Sequence, residues 1–167
     1  FSTENWKRPK SEIKFLFKLI EKYFSLEIKS IIKQGIKLNI MGELNKLPKI
    51  TRSTLQKSIN LTKKNKKITV NLAVNYGSKN EIFNTFSKIK KKFSLKNFED
   101  NLYFKEVPNP EILIRTGGHR RLSNFMLWQL AYSELFFMNK LWPDFKFNDL
   151  VKIIKEIKKN KINFGSI

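Results

Sequence analysis

The stretch Pro110-Glu-Ile-Leu-Ile-Arg-Thr-Gly-Gly-His-Arg-Arg-Leu-Ser-Asn-Phe-Met-Leu-Trp-Gln-Leu-Ala-Tyr-Ser-Glu134 decides how this 167-residue chain is read. It begins as a short apolar strand, Ile112 to Ile114, that ends on a charge, Arg115. A Gly117-Gly118 turn and two arginines follow, and Ser123 is placed to open an apolar helix running to Tyr132. That order gathers guanidinium groups, a flexible turn and a hydroxyl-capped helix start at one strand end. Each of these attracts phosphate oxygens: the helix through its free N–H groups and dipole, arginine as a permanently charged, bidentate partner. In open α/β sheets such sites lie at the carboxyl edge of the strands. Glu134 follows the expected helix, and a carboxylate beside a phosphate site is suited to Mg²⁺. The residues alone admit a second reading, an ordinary strand-to-helix turn with solvated arginines and a serine cap. The Gly-Gly pair is neither a Walker loop nor a GxGxxG fingerprint.

Outward from this segment, strands and helices alternate. Upstream, after Pro9, Ser11 is placed to cap a long helix with Ile13, Leu16, Phe17, Ile20, Phe24, Ile28 and Ile31 on one face, ended by Gly35. Ile36, Leu38 and Ile40 alternate with polar residues as a strand closed by Gly42. A helix from about Thr51 to Lys63 and a strand from Ile68 to Val74 come next. Asn75 to Ser78 then turns into a helix whose apolar face is Ile82, Phe83, Phe86, Ile89 and Phe93. Residues 94 to 107 read as a helix fragment and loop. Downstream, Leu135 to Phe137 is a short strand, and Asn148 is placed to cap a last helix carrying Leu150, Ile153, Ile154 and Ile157. The pattern predicts an α/β fold with a mainly parallel central sheet flanked by helices, in one domain, 1–167, without internal repeats or a linker.

Composition narrows the function. Apolar residues make up 41% with 15 Phe, enough for a folded core. The absence of cysteine excludes disulfides and thiolate metal sites and fits a reducing compartment. No apolar run reaches the length of a membrane span. The net charge of +20, from 34 Lys+Arg against 14 Asp+Glu, points to phosphorylated substrates, an anionic membrane or nucleic acid. Much of it is lysine spread over helices, as Lys14, Lys18, Lys22, Lys29 and Lys33, or in runs such as Lys90 to Lys92. Solvated helix faces explain this better than nucleic-acid binding, and no zinc finger or RNP-like motif is present.

Three further blocks join the central segment in order: Phe1-Ser-Thr-Glu-Asn-Trp-Lys-Arg-Pro9, Asn75-Tyr-Gly-Ser78 with Glu81-Ile82, and Trp142-Pro-Asp-Phe145. Together they resemble the cis-prenyltransferases, and within them the bacterial undecaprenyl diphosphate synthases, from Phe1 to about Phe164-Gly165. The resemblance implies an enzyme that condenses isopentenyl diphosphate with an allylic diphosphate such as farnesyl diphosphate, repeatedly and with cis geometry. It implies that Arg115, Arg121 and Ser123 hold isopentenyl diphosphate, with Leu122 adding backbone contacts. It implies that Ser2, Thr3, Glu4, Trp6 and Arg8 contact substrate. Asn5 matches a residue proposed as proton acceptor; an amide is a poor base, so its role is to position a proton-accepting oxygen. Glu134 matches a Mg²⁺ ligand. Some apolar residues of the first helix would line a tunnel for the growing chain. A homodimer, cytoplasmic and peripheral at the membrane for product release, is implied as well.

The chain departs from the family at four places. His119 stands where a glutamate is common, and Arg120 where some members carry a histidine ligand. Lys161-Ile162-Asn163 precedes Phe164-Gly165 in place of arginines. The family's Met-Asp-Gly-Asn-Gly-Arg-Trp motif, which supplies a metal-binding aspartate, belongs upstream of Phe1. The expectation is that residues 1–167 are the C-terminal portion of the domain, lack its N-terminal strands and do not turn over alone. The paired Asp-Asp segments of trans-prenyltransferases are absent. Alternatives are a cis-prenyltransferase of different product length, a non-catalytic partner subunit and, weakest, a basic nucleic-acid-binding module.

Overall fold

The computed structural model describes residues 1–89, 93–103 and 107–158. It contains two compact units, Phe1–Lys105 and Glu106–Ile167, each with parallel strands and helices, the α/β class expected. Lys90 to Lys92 and the tail from Lys161 to Gly165 lie outside the described residues.

The first unit opens with a lone parallel bridge between Ser2 and Tyr76 and a 3-10 turn, Thr3–Lys7. Helix α1 spans Lys10–Lys33. Pro9, not Ser11, occupies its cap position: proline brings a preset φ to a place where the chain must change direction. The helix ends at Gly35, whose left-handed φ of 72° lets its N–H reach the Ile32 carbonyl at 3.0 Å. Strand β1, Ile36–Met41, then pairs in parallel with β2, Ile68–Ala73, from Ile36 opposite Ile68 to Met41 opposite Ala73. Helix α2, Lys49–Thr62, makes the crossover that a parallel pair requires. Buried Thr62 joins helix to sheet: its hydroxyl accepts the Leu38 N–H at 3.1 Å and donates to the Ser58 carbonyl at 2.8 Å. The core gathers Phe17, Leu47, Leu55 and Val74, with Ile13, Ile20 and Phe24 of α1 against them.

Helix α3, Ser78–Lys88, inverts the expected face. Phe83 and Phe86 are 70% and 62% exposed, while Ser78, Glu81 and Thr85 are buried. The cause is a polar partner set. Glu81 accepts the Tyr76 hydroxyl at 2.5 Å and the Tyr103 N–H at 2.8 Å, which makes burying a carboxylate tolerable. Helix α4, Leu95–Glu99, is the fragment expected in the next stretch, capped by the Ser94 hydroxyl.

In the second unit, β3, Ile112–Arg115, pairs in parallel with β4, Glu134–Phe137. The helix expected from Ser123 to Tyr132 is absent; the segment runs in consecutive turns. Ser123, Asn124 and Met126 all have left-handed φ, between 48° and 61°, which a right-handed helix cannot contain. The last helix, α5, spans Phe147–Ile157 with Ile153 buried. Lys146, not Asn148, is at its N-cap, and Asp149 at the third helical position accepts the Lys146 N–H at 2.9 Å.

Candidate active site

In the second unit, β3 delivers Arg115 to its carboxyl end, as the sequence predicts. The guanidinium Nη1 donates to Ser123 Oγ at 2.9 Å and to the Arg121 carbonyl oxygen. The Arg121 guanidinium itself is exposed, as are His119 and Arg120; Leu122 is half-buried. The Gly117-Gly118 turn is fastened by its backbone: the Gly117 N–H donates to the Lys140 carbonyl at 2.8 Å, and the Gly118 N–H to Met138 at 2.9 Å. Met138 N–H returns to the Arg115 carbonyl at 2.8 Å. Both glycines have positive φ, 92° and 77°, so the turn is built for residues without a side chain. Among the described residues of this unit no helix starts at the glycine turn or at Ser123. The positive character comes from side chains, not from a helix dipole.

Lys140 links this turn to α5. Its ammonium sits 2.7 Å from Asp149 Oδ1, and that bond, with the Lys146 N–H second, holds the Asp149 carboxyl below its usual range. Nothing in the sequence marks this pair beyond its nine-residue spacing.

In the first unit the bridge at Ser2 fixes the Phe1–Arg8 segment against the end of β2. Thr3 N–H donates to the Tyr76 carbonyl at 3.1 Å, and Tyr76 N–H to Phe1 at 3.3 Å. Asn5 Oδ1 accepts the Ser2 N–H at 2.7 Å and so closes the 3-10 turn. Among the described residues no acceptor takes the Asn5 NH₂ donors. Trp6 Nε1 donates to Asn75 Oδ1 at 2.7 Å, and Asn75 Nδ2 donates to the Glu43 carbonyl at 2.8 Å. Thr3 Oγ1 donates to Glu4 Oε2 at 3.2 Å, and Arg8 pairs with Glu12 at 2.7 Å on the surface. Asn75 was not among the expected site residues, yet it is 2% exposed, left-handed at φ 52° and the support of Trp6. The available signal is its type: asparagine before a helix is the non-glycine residue best suited to that backbone. Glu43 is held below the usual carboxylate range, first by Lys46 and then by Asn84, against the opposing effect of burial.

A cavity of about 300 Å³ lies along the same unit, lined by Phe24 and Ile31 of α1 and by Ile36, Leu38, Val70 and Leu72 of the sheet. Its lining is hydrocarbon apart from Tyr23 and Glu27.

Among the described residues no three Asp, Glu or His side chains come together to hold a metal. Glu134, half-buried at the start of β4, is a single carboxylate. Mg²⁺ commonly takes one or two carboxylates and completes its shell with water and phosphate, so this donor set is compatible with it. Among the described residues no helix is long and apolar enough to cross a membrane.

The family model described as "Putative undecaprenyl diphosphate synthase" matches residues 1–165. An isoprenyl transferase of Rickettsia felis is 43% identical over 169 residues, covering 99% of this chain and 72% of that protein. One of Clostridium tetani is 40% identical over 177 residues, covering 100% and 69%. A crystal structure of a probable undecaprenyl diphosphate synthase from Campylobacter jejuni superposes with a TM-score of 0.92 at 33% identity, covering 99% of this chain and 80% of that one. Lavandulyl diphosphate synthase from Lavandula x intermedia, in complex with dimethylallyl diphosphate, gives 0.92 at 30% identity, with 99% and 76% covered. With a family model over nearly its whole length, and with named relatives of the same kind, the chain belongs to the undecaprenyl diphosphate synthase family, a family of prenyltransferase enzymes.

Proposed function

We propose that the chain elongates an allylic diphosphate, such as farnesyl diphosphate, with isopentenyl diphosphate to give a long-chain polyprenyl diphosphate. The observation that carries this reading is the bonded group of Arg115 and Ser123 beside the Gly117-Gly118 turn. Two diphosphates side by side repel strongly, and fixed cations offset that repulsion. Arg115, Arg121 and Ser123, with Leu122 backbone groups, hold the isopentenyl diphosphate. The allylic C–O bond breaks with its electron pair leaving on the diphosphate, the isopentenyl double bond attacks, and a proton departs. Much of the acceleration is therefore positioning. Ser2, Thr3, Glu4, Trp6 and Arg8 contact substrate, and the Asn5 NH₂ group positions a proton-accepting oxygen. The cavity beside α1 receives hydrocarbon. Mg²⁺, when bound through Glu134, supplies charge neutralisation at diphosphate oxygens. The working form is a cytoplasmic homodimer that meets the membrane to release product.

The test uses the protein as its gene encodes it, with Mg²⁺, farnesyl diphosphate and radiolabelled isopentenyl diphosphate. Label should enter long-chain product, and Arg115→Ala should abolish incorporation. Binding of isopentenyl diphosphate without any turnover would instead make the protein a non-catalytic partner subunit.

A further inference from the structure

Trp6 is held from three sides and remains partly open. Its Nε1–H, the one polar group of an indole, donates to Asn75 Oδ1 at 2.7 Å. Phe1 meets the ring edge-on at 5.3 Å between centroids, and Phe17 lies tilted against it at 5.6 Å. The residue is still 38% exposed and lines a second cavity, of about 640 Å³. Asn75 cannot turn to release it. Its Nδ2 donates to the Glu43 carbonyl at 2.8 Å, while its own carbonyl accepts the Glu43 N–H at 3.2 Å. An amide flip would set N–H against N–H and oxygen against oxygen. Gly42 lets the two loops touch: a Cβ there would lie 2.1 Å from the Val74 oxygen and 2.8 Å from that of Asn75. The Glu43 carboxylate continues outward to Asn84 Nδ2 at 2.6 Å and to Lys46 at 2.5 Å. The series Trp6, Asn75, Glu43, Asn84 thus ties the opening turn to the ends of β1 and β2 and to α3.

We propose that Asn75 is a positioning residue for prenyl transfer. It sets the angle at which the open face of Trp6 meets the allylic substrate, and the brace through Glu43 to Asn84 holds that angle. Two observations favour orientation over mere satisfaction of the indole. A residue as exposed as Trp6 can give its N–H to water. Asn75 is buried and sits at φ 52°, a strained conformation for a residue with a side chain, and such strain persists where the surroundings over-determine a geometry that matters. The allylic diphosphate is the partner by location. Trp6 shares its unit with the hydrocarbon-lined cavity beside α1, whereas Arg115, Arg121 and Ser123 belong to the other unit. The inference rests on the reading in which Trp6 contacts substrate.

Calorimetric titration of the gene-encoded protein with farnesyl diphosphate and Mg²⁺, without isopentenyl diphosphate, tests it. No product forms, so binding is read alone. Asn75→Gly keeps the backbone conformation and removes both side-chain bonds. Its affinity for farnesyl diphosphate should fall roughly five- to tenfold, the range for one hydrogen bond. Isopentenyl diphosphate, titrated separately, should bind within about twofold of wild type. Asn75→Asp retains the Oδ1 acceptor and suits the left-handed backbone. It should bind farnesyl diphosphate more tightly than Asn75→Gly even where burial of its carboxyl makes it the less stable protein. A role in stability alone would instead rank affinity with melting temperature. In a Trp6→Phe background, which has no indole N–H, Asn75→Gly should have little further effect. Asn84→Ala, at the far end of the brace on a helix that tolerates alanine, should lower farnesyl diphosphate affinity in the same direction, about twofold. Wild-type affinity in Asn75→Gly overturns the proposal, as it does in Asn84→Ala should the glycine variant not fold. So do additive losses in the double variant, or an equal fall for both substrates. A wild type that does not bind farnesyl diphosphate sinks the substrate reading and this inference with it.

Discussion

Arg115 and Glu134 stand at opposite ends of one parallel strand pair. Glu134 begins β4 opposite Ile112, while Arg115 ends β3 opposite Phe137. Three residues of strand separate the two levels, about 10 Å at the usual rise. The two side chains leave the sheet from different levels, so their roles can be separated experimentally.

Glu134→Gln should raise the Mg²⁺ concentration needed for half-maximal turnover several-fold, because it removes an anionic oxygen. At saturating Mg²⁺ the KM for isopentenyl diphosphate should stay near its original value, since the Arg115 end is untouched. His119→Ala is the control. If His119→Ala moves the Mg²⁺ curve and Glu134→Gln does not, the ligand is the histidine.

Arg121→Ala should weaken isopentenyl diphosphate binding by about 1.5–3 kcal/mol, the range for a hydrogen bond to a charged group. Its carbonyl, which holds Arg115, survives the substitution. Titration calorimetry should thus show lost affinity without lost folding. Arg115→Lys should still weaken binding: Nη1 alone makes both loop bonds, to Ser123 Oγ and the Arg121 carbonyl, so lysine could keep those but would lose the remaining guanidinium N–H groups that suit a bidentate contact to diphosphate.

Asn75 allows backbone and side chain to be separated. Asn75→Gly keeps the left-handed conformation and loses the bonds to Trp6 and Glu43, costing about 1–3 kcal/mol. Asn75→Ala adds roughly 1 kcal/mol or more of strain on top. Denaturant melts should rank wild type above glycine above alanine. An alanine variant as stable as the glycine variant would show that the backbone there is not constrained.

Acid should weaken the anchor between α5 and the glycine turn. Asp149 has a depressed pKa in the fold, so its contribution is present above its unfolded pKa and disappears as pH falls through the folded one. Lys140→Met should flatten the fall of Tm with pH on the acid side of neutrality, measured against wild type in the same buffers.

Local pattern made much of the fold legible. Strands β1 and β2 alternate and are closed by turn residues, and α1 repeats its apolar positions from Ile13 to Ile31. The stretch Phe125-Met-Leu-Trp128 misled because its composition suits a helix, whereas the left-handed residues around it answer to tertiary demands. The α3 face misled for a related reason. Phe83 and Phe86 carry helical periodicity, but the partners that draw Glu81 inward, Tyr76 and Tyr103, lie outside the helix. In the site, Arg115 and Ser123 were readable because eight residues separate them. Trp6 and Asn75, sixty-nine residues apart, meet only once β2 is in place.

Ser123 carries its hydroxyl on a backbone at φ 49°, a conformation in which a side chain costs roughly 1 kcal/mol. Glycine at this position would relieve that cost and remove, in one step, the hydroxyl that accepts the Arg115 N–H and is proposed to hold isopentenyl diphosphate. Selection for thermal robustness alone would therefore accept Ser123→Gly, and selection for turnover would reject it. A directed-evolution experiment that screens only for heat resistance should erode this loop first, leaving a sturdier protein with a weakened grip on its substrate.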